Sequence, residues 1–206
     1  VTWAEFGTSA CMALSVLPAL SIGVYEVLTS HGRQDLIDYF ATNLATGEWA
    51  GTMCLTEPHA GTDLGIINTS AEPQSDGTYK ISGTKIFITY GEHDMADNIV
   101  HLVLAKAPGG PEGTKGISLF LVPKYMPSEW EEGGLEGVSN SLKTEHNGVT
   151  CSGTEEKMGL HASPTCVMNF DDSTGWLVGP LHGGMPLMFE MMNRERVATG
   201  MMGLGL

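Results

Sequence analysis

The sequence predicts an α+β protein in which helix gives way to an antiparallel β-barrel or sandwich and then returns. Three observations lead there. Apolar residues recur at helical spacing from Val1 to about Leu44 and again after Gly184, whereas from about Gly51 to Val178 they fall in short, strand-length runs. No helical pattern intervenes between those runs, which argues against a doubly wound sheet. Turn chemistry separates them instead, with Asp76-Gly77 and Gly109-Gly110-Pro111 the clearest cases. The expected division is a helical piece over 1–48, a β domain over 49–180, and the opening helix of an incomplete helical domain over 184–206.

In chain order, Phe6 to Tyr25 is uncharged and reads as a buried helix or helix pair, with breaks at Pro18 and at His31-Gly32. Pro18 and four hydroxyl residues dilute this run as a membrane span, and no basic residue precedes it as a signal peptide would require. Arg33 to Ala45 is an amphipathic helix closed by Gly47. Strands are expected over Thr78–Ser82, Lys85–Thr89, Ile99–Ala105, Gly116–Val122, Thr165–Phe170 and Trp176–Val178, with Asp171-Asp172 as a turn. Met126 to Ser152 is polar, rich in glycine and weakly patterned, and reads as a surface excursion. The last helix starts at Gly183-Gly184 with Pro186 in its first turn, and Met188, Met191, Met192 and Glu195 share one face. Glu190 and Arg194 stand at i, i+4, the spacing of a solvated ion pair. Val1 is not a methionine and the sequence stops on Met201 to Leu206, an apolar run, so the chain reads as a fragment.

Composition excludes some classes of function. The 24 acidic residues outnumber the 10 basic ones, for a net charge of −14, which repels phosphate backbones and anionic headgroups. Nucleic acid and membrane are therefore not expected partners. The four cysteines, Cys11, Cys54, Cys151 and Cys166, are scattered without a CxxC pair and read as free thiols in a reducing compartment. His93 and His146 lack partners at metal-ligand spacing, so no metal is expected. GxGxxG, P-loop and GxSxG motifs are absent from the sequence.

Two stretches can carry chemistry. Met53-Cys54-Leu55-Thr56-Glu57-Pro58-His59-Ala60-Gly61-Thr62-Asp63 is a strand running into a loop of hydroxyls and free backbone N–H groups, able to receive ring carbonyls and phosphate oxygens. Taken alone it is equally an ordinary strand and turn with Asp63 as a cap. Lys85-Ile86-Phe87-Ile88-Thr89 sets an aromatic and a hydroxyl two residues apart on one strand face. That combination suits a flat heteroaromatic ring, or a core aromatic with a neighbouring threonine.

Together the two resemble the signature stretches of acyl-CoA dehydrogenases, the TEP-x-AG-[ST]-D loop and the K-x-[WF]-I-T strand. Gly159-Leu160-His161-Ala162-Ser163-Pro164-Thr165 is similar to a third family stretch, and Met191-Met192-Asn193-Arg194-Glu195-Arg196-Val197-Ala198 to the helix that opens the family's C-terminal four-helix bundle. Gly91-Glu92-His93-Asp94 and Thr114-Lys115-Gly116-Ile117-Ser118-Leu119-Phe120 look closest to the 3-methylmercaptopropionyl-CoA dehydrogenase-like branch. The resemblance implies N-terminal helices, a middle β-barrel that binds FAD, and a truncated bundle. Met53, Leu55 and Thr56 match the strand that holds the pyrimidine side of the flavin. Gly61 and Thr62 match the turn at the pyrophosphate, with Thr62 also near the CoA portion of the substrate. Phe87 stands where the family usually has a tryptophan over the isoalloxazine, followed by Ile88 and by Thr89, whose match is the hydroxyl near flavin N5. The Phe-for-Trp change keeps the stacking plane and loses an indole donor.

The activity implied is α,β-dehydrogenation of an acyl-CoA, with a carboxylate removing the α-proton, hydride leaving to the flavin, and an electron-transfer flavoprotein as acceptor. Most members carry the catalytic glutamate far into the C-terminal domain. A minority carry it where Glu195 stands, directly before an arginine matching Arg196. Glu195 is thus either the base or a carboxylate at the domain edge paired with Arg196 or His161. Asn193 and Arg196 are the expected substrate-side residues, and Arg196 has an inter-domain salt bridge as its alternative. The resemblance further implies a homodimer or homotetramer and a cytoplasmic, bacterial setting. An acyl-CoA oxidase of the same fold would differ by releasing hydrogen peroxide in air. A non-catalytic flavin-binding scaffold would differ by lacking any carboxylate in the base position.

Overall fold

The computed structural model describes residues 2–126 and 145–203, with side chains from residue 5 onward. Helix α1 (Thr2–His31) carries a break, but at Cys11 (φ −159°, ψ 93°) and not at Pro18. A proline disturbs the turn that precedes it, by removing a backbone donor and crowding the carbonyl four residues back. The break lies well before that turn, where Ser15 Oγ donates to the Cys11 carbonyl at 3.0 Å. By length and composition Glu5–His31 would also pass as a membrane span. In the structure Leu20, Val24, Val27 and Leu28 of this helix are buried in the core. Helix α2 (Gln34–Thr46) closes as expected on Gly47, whose φ of 81° is the left-handed conformation that a helix C-terminus favours in glycine.

The β domain is a closed sheet of seven strands. They are β1 (Trp49–Cys54), β2 (Ser70–Pro73), β3 (Tyr79–Thr89), β4 (Asn98–Lys106), β5 (Ile117–Pro123), β6 (Val149–Thr154) and β7 (Thr165–Val178). The ring runs β4-β2-β3-β7-β5 and returns to β4, with β1 on β4 and β6 on β7. Two pairings, β1 with β4 and β2 with β4, are parallel; the others are antiparallel. The parallel neighbours are joined through the β2–β3 hairpin, a crossover without a helix that a pattern of strands and turns does not reveal.

Several strand limits differ from expectation, the first two because a bulge carries the strand through a supposed gap. The two runs Thr78–Ser82 and Lys85–Thr89 are one strand, β3, whose register against β7 shifts between Ile81 and Gly83 and again between Lys85 and Ile88. Asp171-Asp172 is not a turn; it lies inside β7, where Asp172 takes a φ of 47°. The expected excursion over Met126–Ser152 ends in β6, and its middle, 127–144, lies outside the described residues.

Strands β4 and β5 read as continuous apolar runs because both of their faces are covered. Val100, Leu102 and Leu104, with Leu119 and Leu121, pack against α1, α2 and Trp176. Val103, Ala105, Phe120 and Val122 fill the barrel interior with Ile81, Ile88, Cys166, Met168 and Phe170. Each such side chain contributes about 1.5–3 kcal/mol on burial. Rings of Phe40, Trp49 and Trp176 lie 5.6–5.8 Å apart and fasten α2 to the sheet.

Helix α3 (Gly184–Met202) runs antiparallel to α1. The Glu190–Arg194 pair expected within α3 does not form. Glu190 instead meets His31 Nε2 at 2.8 Å, and Arg194 bonds Glu26, because α1 packs a partner close to each. One turn along, Met191 packs on Gly23.

Close approach also fixes α1 on β1. A Cβ on Gly51 would stand 2.7 Å from Val24 Cγ2 and 3.1 Å from Ser21 Cα, and the Gly51 N–H donates to Ser21 Oγ at 3.1 Å. Gly51→Ala should therefore cost about 1–3 kcal/mol, seen as a lower urea midpoint. An unchanged midpoint would show that α1 is not seated on β1 in this way.

Candidate functional site

The two signature stretches lie side by side. The backbone N–H of Ile86 donates to the Thr56 carbonyl at 2.8 Å, so the end of β1 and the second half of β3 run as neighbours. Beneath them sits a buried ion pair. Lys85 Nζ is 2.8 Å from Glu57 Oε1 and donates to the Leu55 carbonyl at 3.0 Å. The two side chains are 0% and 2% exposed, which removes the screening that makes surface pairs weak. Glu57 also accepts from the Asn68 N–H at 2.6 Å, the Thr69 N–H at 3.0 Å and the Thr69 hydroxyl at 2.5 Å. Burial pulls the Lys85 ammonium below its ordinary value. Burial pushes the Glu57 carboxyl up, but Lys85 and the donors from Asn68 and Thr69 outweigh it and leave it below the usual carboxylate range.

The neighbouring residues of β3 include an exposed aromatic. Phe87 is 57% exposed and holds a φ of 60°, a conformation uncommon for a residue with a bulky side chain. The bulge between Lys85 and Ile88 causes both features, turning Lys85 and Ile88 inward while Phe87 points out. Met53, Thr56 and Thr89 are half-buried, and Gly61 and Thr62 are exposed on the loop after Glu57. Of the predicted residues, Leu55 and Ile88 turn their side chains into the core, so only their backbones can face a ligand.

The third stretch closes the end of β3. The Pro164 carbonyl accepts from the Tyr90 N–H at 2.7 Å, and Lys157 Nζ donates to the Ser163 carbonyl at 2.7 Å. Tyr90, also at positive φ (54°), sends its hydroxyl to the Ala13 carbonyl of α1 at 2.7 Å. His161 bonds the Lys157 carbonyl and so does not pair with Glu195.

On α3 the predicted residues separate. Arg196 Nη1 donates to Asn193 Oδ1 at 2.6 Å on the exposed side. Arg196 is therefore not paired with Glu195, contrary to the second of the two readings of that carboxylate. Glu195 follows Met188 and Met191 around to the covered side, where its Oε1 is buried without a hydrogen-bond partner among the described residues. Desolvation raises its pKa, with Arg194 opposing.

Thiol and imidazole chemistry is not favoured nearby. Burial raises the Cys54 thiol to about 12 and lowers the His101 imidazole to about 3, so both are neutral; His101 Nδ1 sits 2.6 Å from the Thr52 hydroxyl. Sequence reasoning passed over Glu57 and Lys85 as functional candidates. Strict alternation along 85, 87 and 89 puts Lys85 with Phe87 on one face, and only the bulge separates them. The available signal is a lysine and a glutamate each opening an otherwise apolar strand or loop.

Residues 52–173 match the family described as acyl-CoA dehydrogenase, middle domain. Over 202 residues the chain is 45% identical to 3-methylmercaptopropionyl-CoA dehydrogenase of Ruegeria pomeroyi, covering 98% of this chain and 33% of the relative. A butyryl-CoA dehydrogenase of Syntrophomonas wolfei is 41% identical over 210 residues, with the same coverage of 98% and 33%. The chain thus spans about a third of the length of these relatives. The solved butyryl-CoA dehydrogenase of Megasphaera elsdenii superposes with a TM-score of 0.76 at 24% identity, over 98% of this chain and 47% of that one, and so shows the fold.

The Glu195 environment has a measurable consequence. Its pKa is raised above the ordinary 4.5, so the folded protein holds this proton more tightly than the unfolded chain, and stability falls as pH rises through that interval. Glu195→Gln should therefore melt higher than the wild type at pH 7, with the difference vanishing below about pH 4. A variant that melts lower at pH 7 would mean that the carboxylate has a stabilising partner.

Proposed function

Since this chain belongs to the acyl-CoA dehydrogenase family, whose members are FAD-dependent oxidoreductases, we propose that the full-length protein carries out α,β-dehydrogenation of an acyl-CoA thioester. The observation that carries the reading is the exposed Phe87 of β3, which follows the Ile86 N–H bonded to the Thr56 carbonyl and stands two residues before Thr89. These residues fit a flavin. Phe87 offers a plane for stacking, the threonines offer polar contacts at the ring edge, and the exposed Gly61-Thr62 turn offers N–H and hydroxyl donors to phosphate oxygens. The chemistry that bound FAD supplies is hydride acceptance from the substrate β-carbon.

The chain's own residues do the rest. Met53, Leu55 and Thr56 orient the pyrimidine side, the latter two through backbone groups and the Thr56 hydroxyl. Phe87, with the backbone of Ile88 and the hydroxyl of Thr89, sets the opposite side. Thr62, Asn193 and Arg196 serve the CoA portion. Glu195 is the base: its Oε takes the α-proton while the β-hydrogen departs with its electron pair. A carboxylate desolvated in this way gains basicity toward a carbon acid and excludes competing water.

Two of the relatives act, by name, on short acyl-CoA thioesters, which favours a short acyl chain such as 3-methylmercaptopropionyl or butyryl. The proposed electron acceptor is an electron-transfer flavoprotein, and the proposed assembly is a homodimer or homotetramer.

In the full-length protein, Glu195→Gln should lower kcat by about 10²–10⁴-fold with FAD still bound. Undiminished turnover would place the base on another residue. Phe87→Ala should weaken FAD retention while leaving the thermal unfolding cooperative, since the lost ring is exposed.

A further inference from the structure

The Lys85–Glu57 pair touches no part of the surface that faces a ligand, yet it joins the two stretches that form it. Lys85 lies two residues before Phe87, and Glu57 lies directly after Thr56. Lys85 Nζ reaches across to the Leu55 carbonyl at 3.0 Å and to Glu57 at 2.8 Å. Glu57 in turn gathers the N–H groups of Asn68 and Thr69 from the far side of the loop, and His59 Nε2 lies 3.7 Å from its other oxygen. One buried cation and one buried anion thus fix three separate segments of chain, 55–57, 68–69 and 85–86.

We propose that Lys85 and Glu57 are positioning residues that hold the Thr56 and Phe87–Thr89 edges in their cofactor-receiving arrangement before any cofactor arrives. This rests on the flavin-site reading above and extends it to groups that make no contact with the ligand. The physical reasons are two. An ammonium ion buried beside the Phe87 bulge supplies a directional tie that apolar packing would not, because several rotations of the loop would satisfy a greasy contact equally well. The positive φ of Phe87 also needs its surroundings to over-determine it, and Lys85 is the nearest hydrogen-bonded side chain on the same strand.

The test is FAD binding by the full-length protein, comparing wild type with the neutral, similarly sized double variant Glu57→Gln/Lys85→Met. Neutralising both partners avoids stranding one buried charge, so the fold is expected to survive. Affinity, followed by quenching of flavin fluorescence, should fall by about 10–100-fold, the scale seen when groups that orient a ligand set are removed. The flavin absorption band of the variant should also lose its resolved shoulders. A folded variant that binds FAD with wild-type affinity and spectrum would overturn the inference. A wild type that binds no FAD would instead overturn the flavin-site reading on which it rests. Should the double variant not fold, hydrogen exchange on the wild type decides: the Ile86, Asn68 and Thr69 amides are expected to be protected equally with and without FAD. Protection that appears only on adding FAD would show that the cofactor, and not the ion pair, organises the site.

Discussion

Two opposite charges taken wholly out of water, Lys85 and Glu57, set the geometry on which the candidate site depends. Bringing either one inside alone would cost several kcal/mol, and the two are tolerable only because each finds further hydrogen bonds. Lys85 finds the Leu55 carbonyl; Glu57 finds two backbone N–H groups and a hydroxyl. Those extra bonds come from residues distant in sequence, so satisfying the charges and closing the loop onto the strand are one event. The barrel around them supplies the dry surroundings. β4 and β5 are covered on both faces, one by the helical layer and one by the barrel interior, and this leaves little freedom for the strands to slide.

Strain sits where the ligand-facing surface is built. Phe87 and Tyr90 both hold positive φ within one short stretch, on either side of the fully inward Ile88. Tyr90 is anchored at its backbone by Pro164 and at its hydroxyl by Ala13, and Lys85 anchors the other end. The exposed aromatic between these fixed points is the part free to meet something from outside. On the helical side, one Glu195 oxygen is buried without a hydrogen-bond partner among the described residues, a local cost to the fold.

Much of this was legible in the residues. The switch from helical to strand periodicity placed the elements, Gly47 marked the end of α2, and the loop and strand motifs named Thr56, Thr62, Phe87 and Thr89 together. What was not legible were features that local pattern does not encode. Two bulges, one where Asp171-Asp172 lies opposite Ile81–Gly83 and one at Phe87, merged segments that alternation had split, and the second separates Lys85 from Phe87. The parallel β1–β4 pairing arises through a hairpin, with no helical signature to announce it. Glu190 and Arg194 have a good i, i+4 spacing, but tertiary packing against α1 offers His31 and Glu26 instead. Local propensity gives way in each case to a partner that only the folded chain provides.

The proposed flavin ring lies against Phe87, beside a strand and a loop tied by a buried ion pair. A crystal structure of the full-length protein with FAD tests it most directly. The ring is expected in van der Waals contact with Phe87, about 3.5–4.0 Å away, with Thr56 and Thr89 at its edges and the Lys85–Glu57 contact unchanged. A ring bound elsewhere, or a separated Lys85 and Glu57 in the complex, would contradict it.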